Sequence, residues 1–258
     1  MNPKEMGWPM RAERPARDWF VSGSTIGIES WPAIDFQMHT RWTDGRCSVK
    51  AMIDGAQAAG LSAIAITEHL NSESTWYPNF VAEVKVERLQ CAGLEIYFGA
   101  EVAASDYLGG LKADVTQLEA ELVLGVVHRY PKPDGRGFWV FEELTGADAV
   151  ELELRALAGL ATNRQIDVLG HPGGTAYKRF GPYPVEWLEP AFRRAREHGI
   201  AVELNTKYLW DLEGMLALLR KVDPLVSFGS DAHAGEEVGS NYAMLRRHGA
   251  GPAMPRAL

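Results

Sequence analysis

"LSAIAITEHL", residues 61–70, decides the fold class. Leu61 to Ile66 form a nearly continuous small and apolar run, and polar chemistry begins only at Thr67, Glu68 and His69. Such a run reads as a strand covered on both faces, the condition of strands in a parallel sheet. Six more short β-rich runs stand out, most of them also nearly continuous in apolar residues: "AIDFQM" (33–38), "LEIYFGAEV" (94–102), "LVLGVV" (122–127), "IDVLG" (166–170), "IAVEL" (200–204) and "LVSFG" (225–229).

Helical segments fall between most of these runs. "SVKAMIDGAQAAG" opens on Ser48, a natural N-cap, and closes on Gly60, with Val49, Met52, Ile53 and Ala56 on one face. "YPNFVAEVKVERLQCAG" stops at Gly93, and "VEWLEPAFRRAREHG" at Gly199. The second half of "VFEELTGADAVELELRALAGLATN" and the segment "DLEGMLALLRKV" complete the set. Alternating strand and helix imply parallel strands joined by right-handed crossovers. Seven strands in a chain of 258 residues favour an α/β fold of the closed (β/α)7 type over an open sheet. Residues 34–248 are expected to form one barrel, with 1–33 an N-terminal extension and 249–258 a C-terminal tail, both peripheral.

Composition narrows the function. Lys plus Arg number 26 against 34 Asp plus Glu, a net charge of −8, which argues against long nucleic-acid polymers and anionic membranes as partners. No run approaches the roughly 18 apolar residues of a membrane span. Two cysteines, Cys47 and Cys91, make no disulfide framework, and the N-terminus lacks the apolar core of a signal peptide, so a cytoplasmic location is expected.

The ionisable residues gather at strand ends. His39 ends the first strand, with Asp44 in the next loop; His69 ends the second, Glu101 sits on the third, His128 ends the fourth and His171 the fifth; Asp231 and His233 follow the last. Gln37 and His39, two apart on a strand, share a side. In a parallel barrel the C-terminal strand ends converge on one face, where such folds carry their sites. Imidazole and carboxylate together suit zinc, manganese or iron, and eight such residues exceed the needs of one tetrahedral ion, so two or three divalent metals are expected. An isolated histidine after a strand is more often a loop or core residue; common placement on successive strands is what favours ligation. His198, before Gly199 at a helix end, and His248, near the tail, read as structural.

"DFQMHTRWTDG", "AIAITEHL", "FGAEVAAS", "VLGVVH", "DVLGHPGG" and "VSFGSDAH", in this order over roughly residues 34–240, resemble the successive motifs of the polymerase and histidinol phosphatase (PHP) family. The resemblance implies a distorted seven-stranded barrel with a trinuclear metal centre that hydrolyses phosphoesters. Carried over by position, it implies one site of Gln37, His39, Glu101 and Asp231; a second in which Glu101 bridges to His128 and His171; and a third of Asp44, His69 and His233. The family's usual first ligand is histidine, so Gln37 is a departure, and Glu68 stands where aspartate is common. An amide oxygen is a weak, neutral donor, and the site beside Gln37 is therefore expected to be the weakest; alternatively, Gln37 only hydrogen-bonds a water on the metal.

The expected activity is release of phosphate from a small phosphomonoester through a metal-activated water. Asp231 and His233 are expected to double as ligands and orienting groups. Among nearby cations, Arg129, which directly follows His128, is the leading candidate to hold substrate phosphate and Arg41 the next; Lys132, Lys178, Arg179 and Lys207 are further candidates. Histidinol-phosphate phosphatase is the narrower alternative. A metal-dependent hydrolase of non-phosphate bonds and a degenerate barrel serving as a binding module are the others. Cys47 reads as a small helix-start residue rather than a nucleophile.

Overall fold

The structure, a computed structural model, describes residues 14–27, 31–133 and 135–248. All seven expected runs are strands of one sheet. These are β2 (Ile34–Asp35), β3 (Ala63–Leu70), β4 (Glu95–Ala103), β5 (Leu122–Val126), β6 (Val168–Leu169), β7 (Ala201–Asn205) and β8 (Leu225–Gly229). They lie side by side in chain order and every pair is parallel. The two ends of the series are joined: Phe36 N–H donates to Phe228 O at 2.8 Å, His39 N–H donates to Ala232 O at 2.8 Å, and Met38 bridges Ala232 in parallel. The seam is irregular, so β2 is regular over two residues rather than the six of the run 33–38.

The helices pack outside. They are α1 (Val49–Ala58), α2 (Tyr77–Gln90), α3 (Gly146–Leu160), α4 (Gly174–Phe180), α5 (Glu189–Glu197), α6 (Leu212–Val222) and α7 (Ser240–Arg247). The expected face of α1 is the buried one, Val49, Met52, Ile53 and Ala56, and Ser48 Oγ caps it by accepting from Ala51 N–H at 3.3 Å. Removing a buried side chain such as Met52 or Ile53 would cost about 2–5 kcal/mol. Two short helices, α4 and α7, carry no clear signal in the sequence; each opens after a glycine with positive φ, Gly173 or Gly239. Among the described residues no helix is long and apolar enough to cross a membrane.

The extension is less peripheral than its sequence suggests. Val21–Ser22 form β1, antiparallel to β8. Arg14 and Arg17 both pair with the fully buried Asp167 just before β6, whose Oδ2 also accepts from Val123 N–H at 2.9 Å. Ala16 and Ile26 are buried, and Trp31 meets Phe228 edge-on at 6.1 Å between ring centroids. A buried carboxylate needs charged and hydrogen-bonding partners, and the two arginines from the extension supply them. Residues 1–13 and the tail 249–258 lie outside the described residues.

Buried acids also tie the loops at the other mouth. Asp35 accepts from Ser230 N–H and Oγ–H and from Gly239 N–H, and Glu68 accepts from Thr40 N–H and Oγ1–H and from Thr43 Oγ1–H. Glu153 of α3 accepts from Tyr130 Oη–H at 2.9 Å and from the amides of Thr175 and Ala176, holding the loop that follows β6. Burial pushes the Glu153 carboxyl up to about 7, against the pull of these donors. The native state therefore holds this proton more tightly than the unfolded chain does. That stabilisation is full below the unfolded carboxyl's pKa and is lost as pH rises through about 7. Glu153→Gln does not titrate there. In denaturant titrations the unfolding free energy of the parent, relative to Glu153→Gln, should fall by about 2–3 kcal/mol between about pH 5 and 8. A pH-independent difference would show that the group does not carry this proton.

Candidate metal centre

The C-terminal strand ends deliver their polar residues to one point. Glu101 on β4 is 1% exposed, and its two oxygens face different neighbours. Oε1 lies 2.9 Å from His128 Nε2 and 3.1 Å from His69 Nδ1; Oε2 lies 3.4 Å from His39 Nε2 and accepts a hydrogen bond from Gln37 Nε2. His39 Nε2 is also 3.1 Å from Asp231 Oδ1. Asp44 closes the outer side, with Oδ1 3.3 Å from His69 Nε2 and Oδ2 3.3 Å from His233 Nε2. The His39 ring stacks on His69 at 4.1 Å, and the His171 ring lies parallel to that of His128 at 5.4 Å.

Three overlapping sets offer ligand atoms within 4.8 Å of one another: His39, His69 and His233; His69, Glu101 and His128; and His39, Glu101 and Asp231. Divalent ions fit this donor set on structural grounds. His39 is wholly buried with neither ring nitrogen in a hydrogen bond, and Glu101 Oε1 has no hydrogen-bond donor. Buried polar atoms without partners are costly, and a cation between them would satisfy both kinds of donor atom. His233 is already oriented: its Nδ1 donates to Asp231 O at 2.9 Å, and its Nε2 faces Asp44 Oδ2 at 3.3 Å.

The electrostatics agree. Burial works against the His39 imidazolium, but Asp231 and Glu101 outweigh it and raise its pKa to about 9. His69 is raised to about 11 against the same burial, by Asp44 and Glu101. Burial alone would raise Glu101 and Asp231; their histidine neighbours hold both well below the usual carboxylate range. His171 differs, pushed down to about 4 chiefly by burial, so its imidazole is neutral and free to ligate. Three ionised carboxylates are thus balanced in part by protons on His39 and His69, which a divalent cation binding there would displace. His171 and Asp231 both have positive φ, 26° and 52°, a backbone cost of about 1–3 kcal/mol each that the surrounding loops sustain. Gly229 is needed beneath the site, since a Cβ there would lie 2.7 Å from Gln37 Cβ and against the Glu203 carboxyl.

A cavity of about 410 Å³ opens over the centre, lined by Asp44, His69, Glu101, His128, Asp231 and His233 together with Lys112 and Tyr208. Gln37, His39 and His171 do not line it. Arg129 and Arg41 are exposed and do not line it either; Arg41 Nε donates to Arg46 O at 2.9 Å. Lys132 pairs with Glu143, Lys178 lies over Tyr208, Arg179 lies over Phe141, and Lys207 Nζ donates to Asp231 Oδ2 at 2.9 Å. His198 Nδ1 meets Arg194 O in the last turn of α5, and His248 is exposed at the end of α7, in line with their structural reading.

Four contributors lie outside the set expected from sequence. Lys112, in the loop after β4, and Tyr208, in the 3-10 turn Thr206–Tyr208 after β7, stand in local sequence that carries no signal for them. Glu203 and Asn205 did carry one: on an otherwise apolar strand they are polar and two apart, hence on one side. Glu203 is buried and accepts from His171 N–H at 2.6 Å; burial, helped by the nearby Asp231 and Glu101, raises its carboxyl well above the ordinary range.

The PHP domain family model matches residues 35–207. The chain is 24% identical over 205 residues to a probable phosphatase of Caldicellulosiruptor bescii, covering 74% of this chain and 75% of that protein. It is 23% identical over 184 residues to the DNA polymerase/3'-5' exonuclease PolX of Bacillus subtilis, 66% of this chain but only 28% of that protein's length. In fold it resembles the histidinol phosphate phosphatase of Lactococcus lactis, solved with zinc, L-histidinol and phosphate. The TM-score is 0.63 at 17% identity, over 85% of this chain and 94% of that one.

Because Glu101 faces more than one ligand set, Glu101→Gln should weaken divalent-metal binding by at least about 10–100-fold, the cost usually paid for losing a mere supporting contact. His233→Ala should leave the Glu101–His128 side loaded. Elemental analysis after dialysis, with circular dichroism to verify folding, checks both; equal retention by Glu101→Gln and the parent would refute the shared role.

Proposed function

The chain belongs to the PHP domain family, and on that footing we propose that it is a metal-dependent phosphoesterase releasing phosphate from a small phosphomonoester. The convergence of five histidines with Asp44, Glu101 and Asp231 at one mouth of the barrel carries this reading. Residues 34–248 are taken as the catalytic unit, with 1–33 an N-terminal extension, of which Arg14, Arg17 and β1 pack at the opposite mouth, and 249–258 a C-terminal tail. Cys47 and Cys91, both free, suit a reducing cytoplasm.

In this reading Asp44, His69 and His233 hold one divalent ion, and Glu101, His128 and His171 another; His39 and Asp231 complete the inner side. Zinc, manganese and iron all suit such ligands. When bound, the ions supply positive charge for the phosphate oxygens and acidify a water. The protein's own groups position the rest. Tyr208 Oη–H and Lys207 Nζ both donate to Asp231 Oδ2, at 2.8 and 2.9 Å, which turns Oδ1 toward His39. His233 is fixed by its bond to Asp231 O, so these two residues act as orienting groups as well as ligands.

Lys112 is the cation placed to grip substrate phosphate. It lines the metal-centre cavity, and its Nζ rests 4.1 Å from the Phe138 ring centroid. Burial and then the charge of Arg129 lower its pKa. Arg41, bonded to Arg46 O, has no part in this reading. Lys112 also lines an adjoining pocket of about 350 Å³ with Asn71, Ser72, Ser105, Pro131 and Phe138, where the leaving group would sit. The two volumes suit a small molecule, and the net charge of −8 disfavours long nucleic acid. Histidinol phosphate is one candidate among small phosphomonoesters, prompted by the fold relative that holds L-histidinol and phosphate.

The protein loaded with Mn or Zn should release phosphate from at least one member of a phosphomonoester panel that includes histidinol phosphate, and chelation should abolish the release. No release from the panel, or from diesters and oligonucleotides assayed beside it, would sink the proposal. Lys112→Met should raise KM about 10-fold or more, the worth of one charge-assisted hydrogen bond, with a smaller change in kcat. An unchanged KM would remove Lys112 from the phosphate site.

A further inference from the structure

The innermost corner of the centre departs from the rest. His39, Glu101 and Asp231 form a fully buried ligand set, and Gln37 stands beside them at 0% exposure. The orientation of the Gln37 amide follows from a chain of donors that starts at the backbone. Lys207 N–H can only donate, and it donates to Asn205 Oδ1 at 3.1 Å. Asn205 therefore presents its Nδ2–H, which donates to Gln37 Oε1 at 2.8 Å. Gln37 in turn presents Nε2–H, which donates to Glu101 Oε2. Reversing the Gln37 amide would set its carbonyl against a carboxylate and its NH2 against the NH2 of Asn205.

The only atom of Gln37 able to bind a metal is thus turned away and occupied. An amide nitrogen, whose lone pair is delocalised, does not ligate; it offers partial positive charge to the same oxygen an inner ion would use. On Asp231 the donors Lys207 Nζ and Tyr208 Oη–H take the far oxygen, Oδ2, while Oδ1 faces His39. The two carboxylates that would share an inner cation each have a protein donor already.

We infer that the Gln37 amide stands in for the innermost cation, so that the centre is binuclear and is carried by Asp44, His69, Glu101, His128, His171 and His233. This rests on the reading that the chain binds divalent metal at all. His39 and Asp231 then serve as the floor of the binuclear site, and Gln37 and Asn205 as positioning residues that keep Glu101 Oε2 neutralised without a metal.

The test reads metal, not turnover. The chain is saturated with Mn2+, freed of excess by gel filtration and assayed for manganese per chain, and the sites are located by anomalous scattering from a Mn2+-soaked crystal. The parent should hold about two ions, with no anomalous peak within bonding distance of Gln37. Gln37→His should raise this to about three, the new peak lying between the introduced imidazole and His39, Glu101 and Asp231. Gln37→Glu, which exchanges the donor for an anionic oxygen, should do the same and covers the case in which the histidine variant fails to fold. Three ions in the parent, one of them bonded by Gln37 Oε1, would overturn the inference while leaving the proposed phosphoesterase intact. Two ions in both variants would also overturn it, because Gln37 would then not be what excludes the third. No bound metal in any of the three proteins would remove the inference and the proposed function together.

Discussion

Everything at the metal centre depends on one buried carboxylate. Glu101 sits on a central strand at 1% exposure, too deep for water to solvate its charge. In such surroundings an ionised carboxylate persists only if donors or cations surround it. The protein meets this by aiming His69 and His128 at one oxygen and His39 and Gln37 at the other. Each of those four side chains comes from a strand end, and each must be delivered with little freedom. The barrel provides that delivery, because parallel strands in register bring their C-terminal ends to one level: His69 is the direct β-sheet partner of Glu101.

The same demand explains the other buried acids. Asp35, Glu68, Glu153 and Glu203 are all nearly inaccessible, and each accepts from backbone or hydroxyl donors in a loop that carries or adjoins a site residue. Asp35 holds the turn at Ser230 before Asp231; Glu68 holds Thr40 after His39; Glu203 holds His171 itself. These acids are tethers. They fix loop backbones, including the positive-φ residues His171 and Asp231, that would otherwise relax. At the opposite mouth Asp167 does the equivalent for the extension through Arg14 and Arg17. The barrel is closed by polar ties at both ends and by apolar packing between them.

The strands were legible because a strand buried on both faces must be largely apolar, and most of the seven runs are nearly continuous in apolar residues. The helix α1 was legible for a similar reason, since its cap at Ser48 and its buried face lie within one short segment. The pairing of β1 with β8 was not, because Val21 and Ser22 show no alternation and their partners, Val226 and Leu225, lie some two hundred residues away. At the site, the histidines and carboxylates were legible from their recurrence at strand ends. The cation lining the cavity was not. Arg129 follows a candidate ligand in sequence but is exposed away from the cavity, whereas Lys112, remote from any motif, lines it.

By itself, the sequence determined which residues could act, since the order of strands and the identity of their terminal residues are local properties of the chain. It also marked Gln37 as the unusual member of its set. Only the tertiary structure decided what Gln37 does. A side-chain amide can present either its oxygen or its nitrogen, and residue type cannot choose between them. That choice is made by Lys207 and Asn205, which reach Gln37 through the folding of β7 against the start of the barrel and turn the amide's donor toward Glu101. The part an amide can take at such a site hangs on the direction of a hydrogen bond, and direction exists only once the partners are assembled.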